Sequence, residues 1–216
     1  SHYLGCKNLV DFFVNKKIKS FIQIGSCVEY GFIKSPQKET NVSEIKNIKS
    51  TYGKAKYLAT KYLINQYNNN KFPCTILRLY LVFGPRQDFN RFMPIVIKGC
   101  LKNIKFPISD GSQSRSFLFV DDFIEAVVQC LKNDNSRGQI FNVGSDKSIK
   151  LRKVVSSIQK IVKSGHPEWG KIKLRKDEIL NLYPNIKKIK KKLNWEPQVN
   201  FTNGLIKTIN YYKKNL

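Results

Sequence analysis

The chain has 216 residues, 41% of them hydrophobic and 12% aromatic, which is enough apolar material for a folded core and excludes a disordered chain. Its 39 Lys and Arg against 15 Asp and Glu give a net charge of +24, a balance that attracts polyanions. The lysines are scattered and no nucleic-acid-binding motif accompanies them, so we expect no nucleic acid among the partners.

The sequence predicts neither a membrane span nor a secretory leader, because it has no run of eighteen apolar residues and no basic-then-apolar order at its start. The five cysteines are widely separated and form no CxxC pair. We therefore expect neither disulfides nor a metal site, and we favour a cytoplasmic location. The chain begins with Ser1 and its only methionine is Met93, which favours a processed product or a fragment of a longer protein.

Hydrophobic periodicity predicts alternating helices and strands in the first half of the chain. A helix is expected over 4–17 and a buried strand over 20–26. A polar stretch covers 32–50, a helix spans about 51–69, and the apolar run 74–84 predicts a second strand.

The second half continues this alternation. A helix is expected over 90–103, with Phe92, Ile95, Val96 and Leu101 as its buried side. The remaining predicted elements are a strand running into a helix over 116–133 with Ile124, Val127, Val128 and Leu131 as its apolar residues, a strand at 138–145, a helix at about 150–164, an extended piece at 171–175, a basic helix at 186–193 and a closing helix at about 202–214. Such alternation predicts an α/β fold, a parallel sheet covered by helices on both faces.

The basic helix carries the densest charge run, IKKIKKKL. Its spacing places Ile186, Ile189 and Leu193 on one apolar face, with the lysines in water. We favour this solvated face; a basic groove for an anionic partner is the alternative.

Tyr52 and Lys56 stand four positions apart in the segment KSTYGKAKYLAT, residues 49–60. On a helix they lie on one face, and an ammonium beside a phenol favours the phenolate. Such a phenolate can exchange a proton with a sugar hydroxyl while a nicotinamide exchanges the hydride. Ser26, at the end of the strand 20–26, lies where a parallel sheet opens its ligand crevice and could hold the reacting oxygen; capping a turn is its alternative role.

Six stretches in order resemble the extended short-chain dehydrogenase/reductase family of nucleotide-sugar epimerases, dehydratases and reductases. They are SFIQIGSCVEYG (20–31), STYGKAK (50–56), ILRLYLVFGPRQ (76–87), DGSQSRSFLFVDD (110–122), GQIFNVGS (138–145) and LNWEPQVNFTNGLIKTI (193–209). The resemblance implies a Rossmann-like parallel sheet, truncated at its N-terminus, with a small C-terminal substrate-binding subdomain. The implied dinucleotide-binding part is 1–84 with 117–145, and the nucleotide-sugar part is 85–116 with 146–216.

The resemblance also implies the roles of individual residues. Tyr52 would be the acid/base, Lys56 would also hold the nicotinamide ribose, and Ser26 would orient the substrate hydroxyl. By the same similarity, the cofactor-binding residues are Tyr52, Lys56, Tyr80 and Val82, and the substrate-binding residues are Ser26, Leu81, Arg91, Pro94, Arg115 and Arg175. Arg115 and Arg175 match positions that grip the sugar nucleotide's pyrophosphate, a role that suits the planar guanidinium; a solvated surface charge is the alternative for each arginine.

The sequence departs from the family pattern at several points. It has no GxxGxxG turn for the cofactor pyrophosphate, and its first residues resemble a helix from the interior of such an enzyme. Cys27 and Val28 replace the Asp and Glu of the 4,6-dehydratases, which disfavours dehydration. Leu81 and Ser116 replace an Asn and an acidic residue near the substrate.

The resemblance therefore predicts an NAD- or NADP-dependent enzyme that oxidises or reduces a hexose carbon of a nucleotide-activated sugar, with C4 favoured, as an epimerase or ketoreductase. A catalytically inactive fragment that binds only nucleotide or nucleotide-sugar is one alternative, and nucleic-acid binding through the lysines is another. Members of the family often pair through two helices, so a homodimer through the helices at 4–17 and 52–69 is also expected.

Overall fold

Three parallel strands form the central sheet of the structure, a computed structural model that describes residues 2–41, 44–175 and 178–216. In chain order the elements are α1 (His2–Phe13), β1 (Phe21–Ser26), α2 (Thr51–Asn70), β2 (Cys74–Leu79), β3 (Leu81–Phe83), α3 (Phe92–Leu101), β4 (Lys105–Pro107), β5 (Ser114–Phe119), α4 (Val120–Lys132), β6 (Gln139–Val143), β7 (Ser148–Lys150), α5 (Leu151–Val162), β8 (His166–Glu168), β9 (Asn181–Leu182), α6 (Lys187–Leu193) and α7 (Phe201–Asn215). The central sheet has the order β1-β2-β6.

Helices cover both faces of this sheet. Neighbouring residues of β2 point to opposite sides, so Ile76 packs with the buried residues of α1 and α2, and Leu77 packs with those of α4 and α6. The first cluster includes Val10 and Leu63, both fully buried. This arrangement confirms the predicted α/β, Rossmann-like fold.

A second group of elements surrounds a core rich in phenylalanine. β5 pairs in parallel with β3 and β9 and antiparallel with β7, and β4 pairs with β8. Phe83, Phe117 and Phe119 from these strands pack with the buried residues of α3, α5 and α7. This core forms one side of a cleft at the end of the central sheet.

The predicted single strand at 74–84 is two strands that belong to different sheets. Residues 74–79 pair with β1 and β6, whereas Leu81 pairs with Phe117 of β5. Between them Tyr80 donates its backbone N–H to the Val143 carbonyl at 3.1 Å. The apolar run is continuous, so hydrophobicity alone could not indicate where the chain changes sheets.

One residue of the predicted buried side of α3 is not buried: Ile95 is 40% exposed. Among the apolar residues of α4, Ile124 and Leu131 are 53% and 58% exposed. α3 is apolar on most sides, so the spacing did not identify its inner face, and the buried α4 positions are the small residues Ala126 and Cys130 with Asp122. The segment 171–175, predicted as a strand or an extended piece, forms no strand.

The basic helix agrees with the predicted solvated face. Ile186, Ile189 and Leu193 are all buried. Lys188 is half-buried, and its Nζ donates to the Ile140 carbonyl at 2.9 Å. Among all helices of the described residues, none combines the length and the hydrophobicity needed to cross a bilayer.

Candidate functional site

A cleft of about 1170 Å³ opens beyond the carboxyl ends of β1 and β2 and runs between these strands and the phenylalanine-rich core. Parallel sheets place ligand crevices at this edge. Eight of the ten predicted site residues line the cleft: Ser26, Tyr52, Tyr80, Leu81, Val82, Arg91, Arg115 and Arg175. Lys56 lies behind Tyr52, and Pro94 is buried in the first turn of α3 and does not line the cleft.

Tyr52 stands in the first turn of α2, which begins at the cleft. Ser50 caps the helix by accepting the Gly53 N–H at 3.0 Å, a bond that satisfies one of the unpaired amides of the first turn. The side chain of Tyr52 is 45% exposed, and its ring meets the His2 ring edge-on at 5.0 Å between centroids. The phenol is therefore accessible from the cleft.

Lys56 lies one turn further along the same face of α2. It is only 8% exposed, its Nζ donates to the Ile24 carbonyl at 2.7 Å, and this nitrogen lies 5.7 Å from the centroid of the Tyr52 ring. Burial lowers the pKa of Lys56, while the nearby Glu29 carboxylate acts in the opposite direction. The pair predicted from the spacing is thus formed, with the ammonium fixed to strand β1.

Ser26 ends β1 and caps the short 3₁₀ turn over Cys27–Tyr30. Its backbone N–H donates to Glu29 Oε1 at 2.8 Å, and its Oγ accepts the Val28 N–H at a long 3.5 Å. The predicted alternative, turn capping, therefore applies. This weak contact uses the oxygen as an acceptor, so the hydroxyl can still donate its proton to a group in the cleft.

Three consecutive residues after β2 form one wall of the cleft. Tyr80 is buried, and its hydroxyl donates to Gln37 Oε1 at 2.7 Å. Burial raises the pKa of this hydroxyl, which makes Tyr80 a poor proton carrier. Leu81 is 40% exposed and Val82 is half-buried, so this wall presents apolar surface to a ligand.

The three predicted arginines occupy different environments. Arg115, on β5, is 9% exposed; its guanidinium donates to the carbonyls of Ser114 and Leu180 and forms an ion pair with Glu178. Burial lowers the pKa of Arg115, while Glu178 opposes that shift. Arg91 precedes α3 as its exposed N-cap residue, and Arg175 lines the cleft from an irregular segment.

Two carboxylates of the site were not among the predicted residues. Glu29 is fully buried under Ser26, and Glu178 pairs with Arg115 at the cleft. The stretch Ser26–Glu29 has the S-x-x-E pattern of a capping box, a sequence signal that could have identified Glu29. Glu178 carries no such signal, because its partner is distant in the chain.

Comparisons with known proteins place the chain in one family. Residues 1–144 match the family model described as "NAD dependent epimerase/dehydratase family". The human dTDP-D-glucose 4,6-dehydratase is 28% identical over 207 residues, which cover 92% of this chain and 58% of that protein. A putative UDP-glucose 4-epimerase of Methanocaldococcus jannaschii is 32% identical over 173 residues, covering 77% of this chain and 54% of that one.

A solved structure agrees with these relatives. The UDP-glucuronic acid 4-epimerase from Bacillus cereus, in complex with UDP-glucuronic acid and NAD, superposes with a TM-score of 0.92 at 25% identity. The superposition covers all of this chain and 68% of that one. The chain thus spans somewhat more than half the length of the curated relatives it matches. The family model matches 144 of the 216 residues, so the predicted resemblance is confirmed. The chain belongs to the NAD-dependent epimerase/dehydratase family.

Proposed function

We propose that this chain forms the catalytic and nucleotide-sugar-binding part of an NAD- or NADP-dependent enzyme that oxidises or reduces a hexose carbon of a nucleotide-activated sugar. C4 is the carbon we favour, and the reaction is an epimerisation or a ketoreduction. The observation that carries the proposal is the shared cleft: Ser26 and Tyr52, with Lys56 behind, face the same space as Arg115 and Arg175.

The residues present fit the nicotinamide and ribose end of such a cofactor. Tyr52 is accessible from the cleft, Lys56 stands one turn behind it, and Val82 offers an apolar surface on the other side. A glycine-rich turn for the cofactor pyrophosphate does not occur in the 216 residues. When bound, the nicotinamide would supply the acceptor or donor of a hydride.

The protein's own residues transfer the proton of the reaction. In the oxidising direction, the Tyr52 phenolate takes the proton of the sugar hydroxyl while the C–H bond at that carbon breaks and its C=O bond forms. Lys56 stabilises the phenolate with its nearby ammonium, and Ser26 donates a hydrogen bond to the reacting oxygen. When the hydrogen returns to the opposite face of the carbonyl carbon and Tyr52 returns the proton to the oxygen, the result is an epimerisation; return to the same face regenerates the substrate.

Arg115 and Arg175 are the groups we assign to the substrate's pyrophosphate, because two guanidinium groups can bind its oxygens in a forked geometry. We assign the substrate-binding role to residues 85–116 and 146–216 and the cofactor side to 1–84 and 117–145. Dehydration is disfavoured, since Cys27 replaces the acid and burial raises the pKa of its thiol to about 12.

A second candidate function rests on Arg115 and Arg175 alone, which both line the cleft. In this alternative the chain binds a nucleotide sugar through its arginines without holding the cofactor. Calorimetric titration separates the two proposals: the enzyme binds NAD⁺ or NADP⁺, whereas the second candidate binds only UDP, dTDP or their sugars.

The test of the enzyme is Tyr52→Phe, with Tyr57→Phe as its matched control on the same helix but outside the cleft. We expect Tyr52→Phe to lower turnover of UDP-glucose, UDP-glucuronic acid or dTDP-glucose at least about a hundredfold, as for loss of a general acid/base. The control should remain within about twofold of the original protein. Near-normal turnover in Tyr52→Phe would refute the assignment.

We also propose a homodimer through α1 and α2. Leu4, Leu9 and Phe12 of α1 are 59%, 53% and 60% exposed, and Leu58 of α2 is 36% exposed. Exposed apolar residues on adjacent helices favour a protein partner over water. Light scattering coupled to gel filtration should give twice the chain mass of 25.0 kDa, and Leu9→Lys should halve it. A monomeric mass for the unmodified protein would refute this interface.

A further inference from the structure

Glu29 is a buried carboxylate that contacts three separate elements of the site. Its side chain has no exposure to solvent. Oε1 accepts the backbone N–H of Ser26 at 2.8 Å, and Oε2 accepts the Thr60 hydroxyl at 2.8 Å and the Arg78 Nε–H at 3.0 Å. These donors belong to the end of β1, to α2 and to β2.

Two of these elements carry the proposed catalytic residues. Ser26 is itself a donor to Glu29, and Thr60 lies on α2 one turn beyond Lys56 and two turns beyond Tyr52. Hydrogen bonds are directional, and those to a charged acceptor are the strongest, so one carboxylate fixes the turn and the helix relative to each other.

The surrounding packing leaves Glu29 little freedom. A Cβ added at Gly25 would lie 2.6 Å from Glu29 Oε1, so this glycine provides the space for the carboxylate. The Arg78 guanidinium, which donates to this carboxylate, lies 4.4 Å from the centroid of the Tyr30 ring, whose hydroxyl donates to Asn142 Oδ1 at 2.8 Å. The carboxylate is thus closely packed and bonded to a side chain that is itself held by its neighbours.

Stability alone is a weak reason for such a group. Buried ion pairs such as that of Glu29 and Arg78 often contribute no more to stability than apolar residues of the same size, because both charges lose their hydration. Placement of the groups around them is a role that apolar residues cannot fill, since they form no directional bonds.

We infer that Glu29 is a positioning residue that holds the Ser26 turn against helix α2 and so sets the separation between the serine hydroxyl and the phenol of Tyr52. The inference rests on the function proposed above. Misplacement of reacting groups by about 1 Å can lower the rate about a hundredfold. The hydrogen bonds of Glu29, which fix this separation, therefore affect turnover.

The experiment compares two buried threonines, each in a helix. Thr60→Val removes the hydroxyl that binds Glu29, and Thr208→Val removes the hydroxyl on α7 that donates to the Gly204 carbonyl at 2.7 Å. We expect Thr60→Val to lower the melting temperature more than Thr208→Val, because the bond it loses is to a charged acceptor, and both variants to remain folded at the assay temperature. Only Thr60→Val should lower kcat, by about tenfold or more, with KM for the nucleotide sugar within about twofold.

Thr60→Ser is the rescue variant, because it keeps the hydroxyl and removes only a methyl group. It should restore kcat to within about twofold of the unmodified enzyme. The inference is overturned if Thr60→Val and Thr208→Val have the same kcat, or if Thr60→Ser is as impaired as Thr60→Val.

A second measurement does not depend on turnover. Glutamine has one acceptor oxygen where glutamate has two, so in Glu29→Gln either Ser26 or Arg78 loses its acceptor, and the charged Arg78 is the costlier one to leave unbonded. Hydrogen exchange of the Ser26 amide, followed by NMR, should therefore accelerate at least about tenfold. Unchanged exchange overturns the inference. If exchange accelerates while the unmodified protein converts no nucleotide sugar, the positioning role of Glu29 for the Ser26 turn is supported and the enzymatic proposal fails.

Discussion

Gly53 offers a sharp test of how the start of helix α2 is packed. It follows Tyr52 directly, and a Cβ at this position would lie 2.7 Å from Ile48 Cγ2, 2.9 Å from Ser50 Oγ and 3.3 Å from Val28 Cγ2. Ala in place of Gly contributes up to about 1 kcal/mol of helix propensity. Against this, overpacking costs about 1–3 kcal/mol, and displacement of the Ser50 cap costs about 1 kcal/mol more. Gly53→Ala should therefore destabilise the fold by about 1–3 kcal/mol.

Gly5→Ala is the matched control, because it makes the same substitution in helix α1, where an added Cβ meets nothing within 4 Å. It should stabilise the protein by up to about 1 kcal/mol. At this chain length, about 1 kcal/mol moves the melting temperature by about 2–4 °C, so calorimetry should show opposite shifts for the two variants. If Gly53→Ala raised the melting temperature as Gly5→Ala does, the described contacts at the start of α2 would be wrong.

Two further predictions concern buried charged groups. Asp122 is 5% exposed and accepts the backbone N–H groups of Gln198 and Val199 at 2.9 and 3.2 Å. Asp122→Ala should therefore lower the free energy of unfolding in urea by about 2–4 kcal/mol. The control, Asp121→Ala at an exposed position, should lower it by less than about 1 kcal/mol. Burial lowers the pKa of Lys56 from 10.5, so the folded protein binds this proton less tightly than the unfolded chain. Its contribution to stability therefore rises with pH from the lowered pKa up to about 10.5. The difference in unfolding free energy between the original protein and Lys56→Met should grow in favour of the original over that window; a pH-independent difference would contradict the burial of this ammonium.

The part of the site that lies on one helix could be predicted from the sequence. Tyr52 and Lys56 are four residues apart, and the α-helix converts that spacing into a common face without help from the rest of the fold. Helix α2 was expected at about 51–69 and spans Thr51–Asn70. Local spacing also predicted the buried face of the basic segment 186–193, because Ile186, Ile189 and Leu193 are isolated among lysines.

Features that depend on tertiary contacts could not be predicted in this way. Ile124 and Leu131 have the spacing of a buried face, yet the sheet packs against the neighbouring small residues of α4, Ala126 and Cys130. The change of sheet at Tyr80 likewise depends on which strand is available to pair with Leu81, a property of β5 and not of the run itself. Neither the period nor the hydrophobicity of the sequence determines which residues of α4 pack against the sheet or which strand pairs with Leu81.

The ion pair of Arg115 and Glu178 is a part of the environment of Arg115 that the sequence did not indicate. An arginine that is 9% exposed needs an anionic or hydrogen-bonding partner, because an unpaired buried charge is strongly disfavoured. A substrate phosphate cannot fill that need before it binds, so the protein must supply the partner itself. It does so with Glu178 and two backbone carbonyls from positions up to 65 residues away. A phosphate that binds at Arg115 must therefore compete with the Glu178 carboxylate already in place. The free energy that Arg115 contributes to phosphate binding is the difference between its interactions with the phosphate and with Glu178.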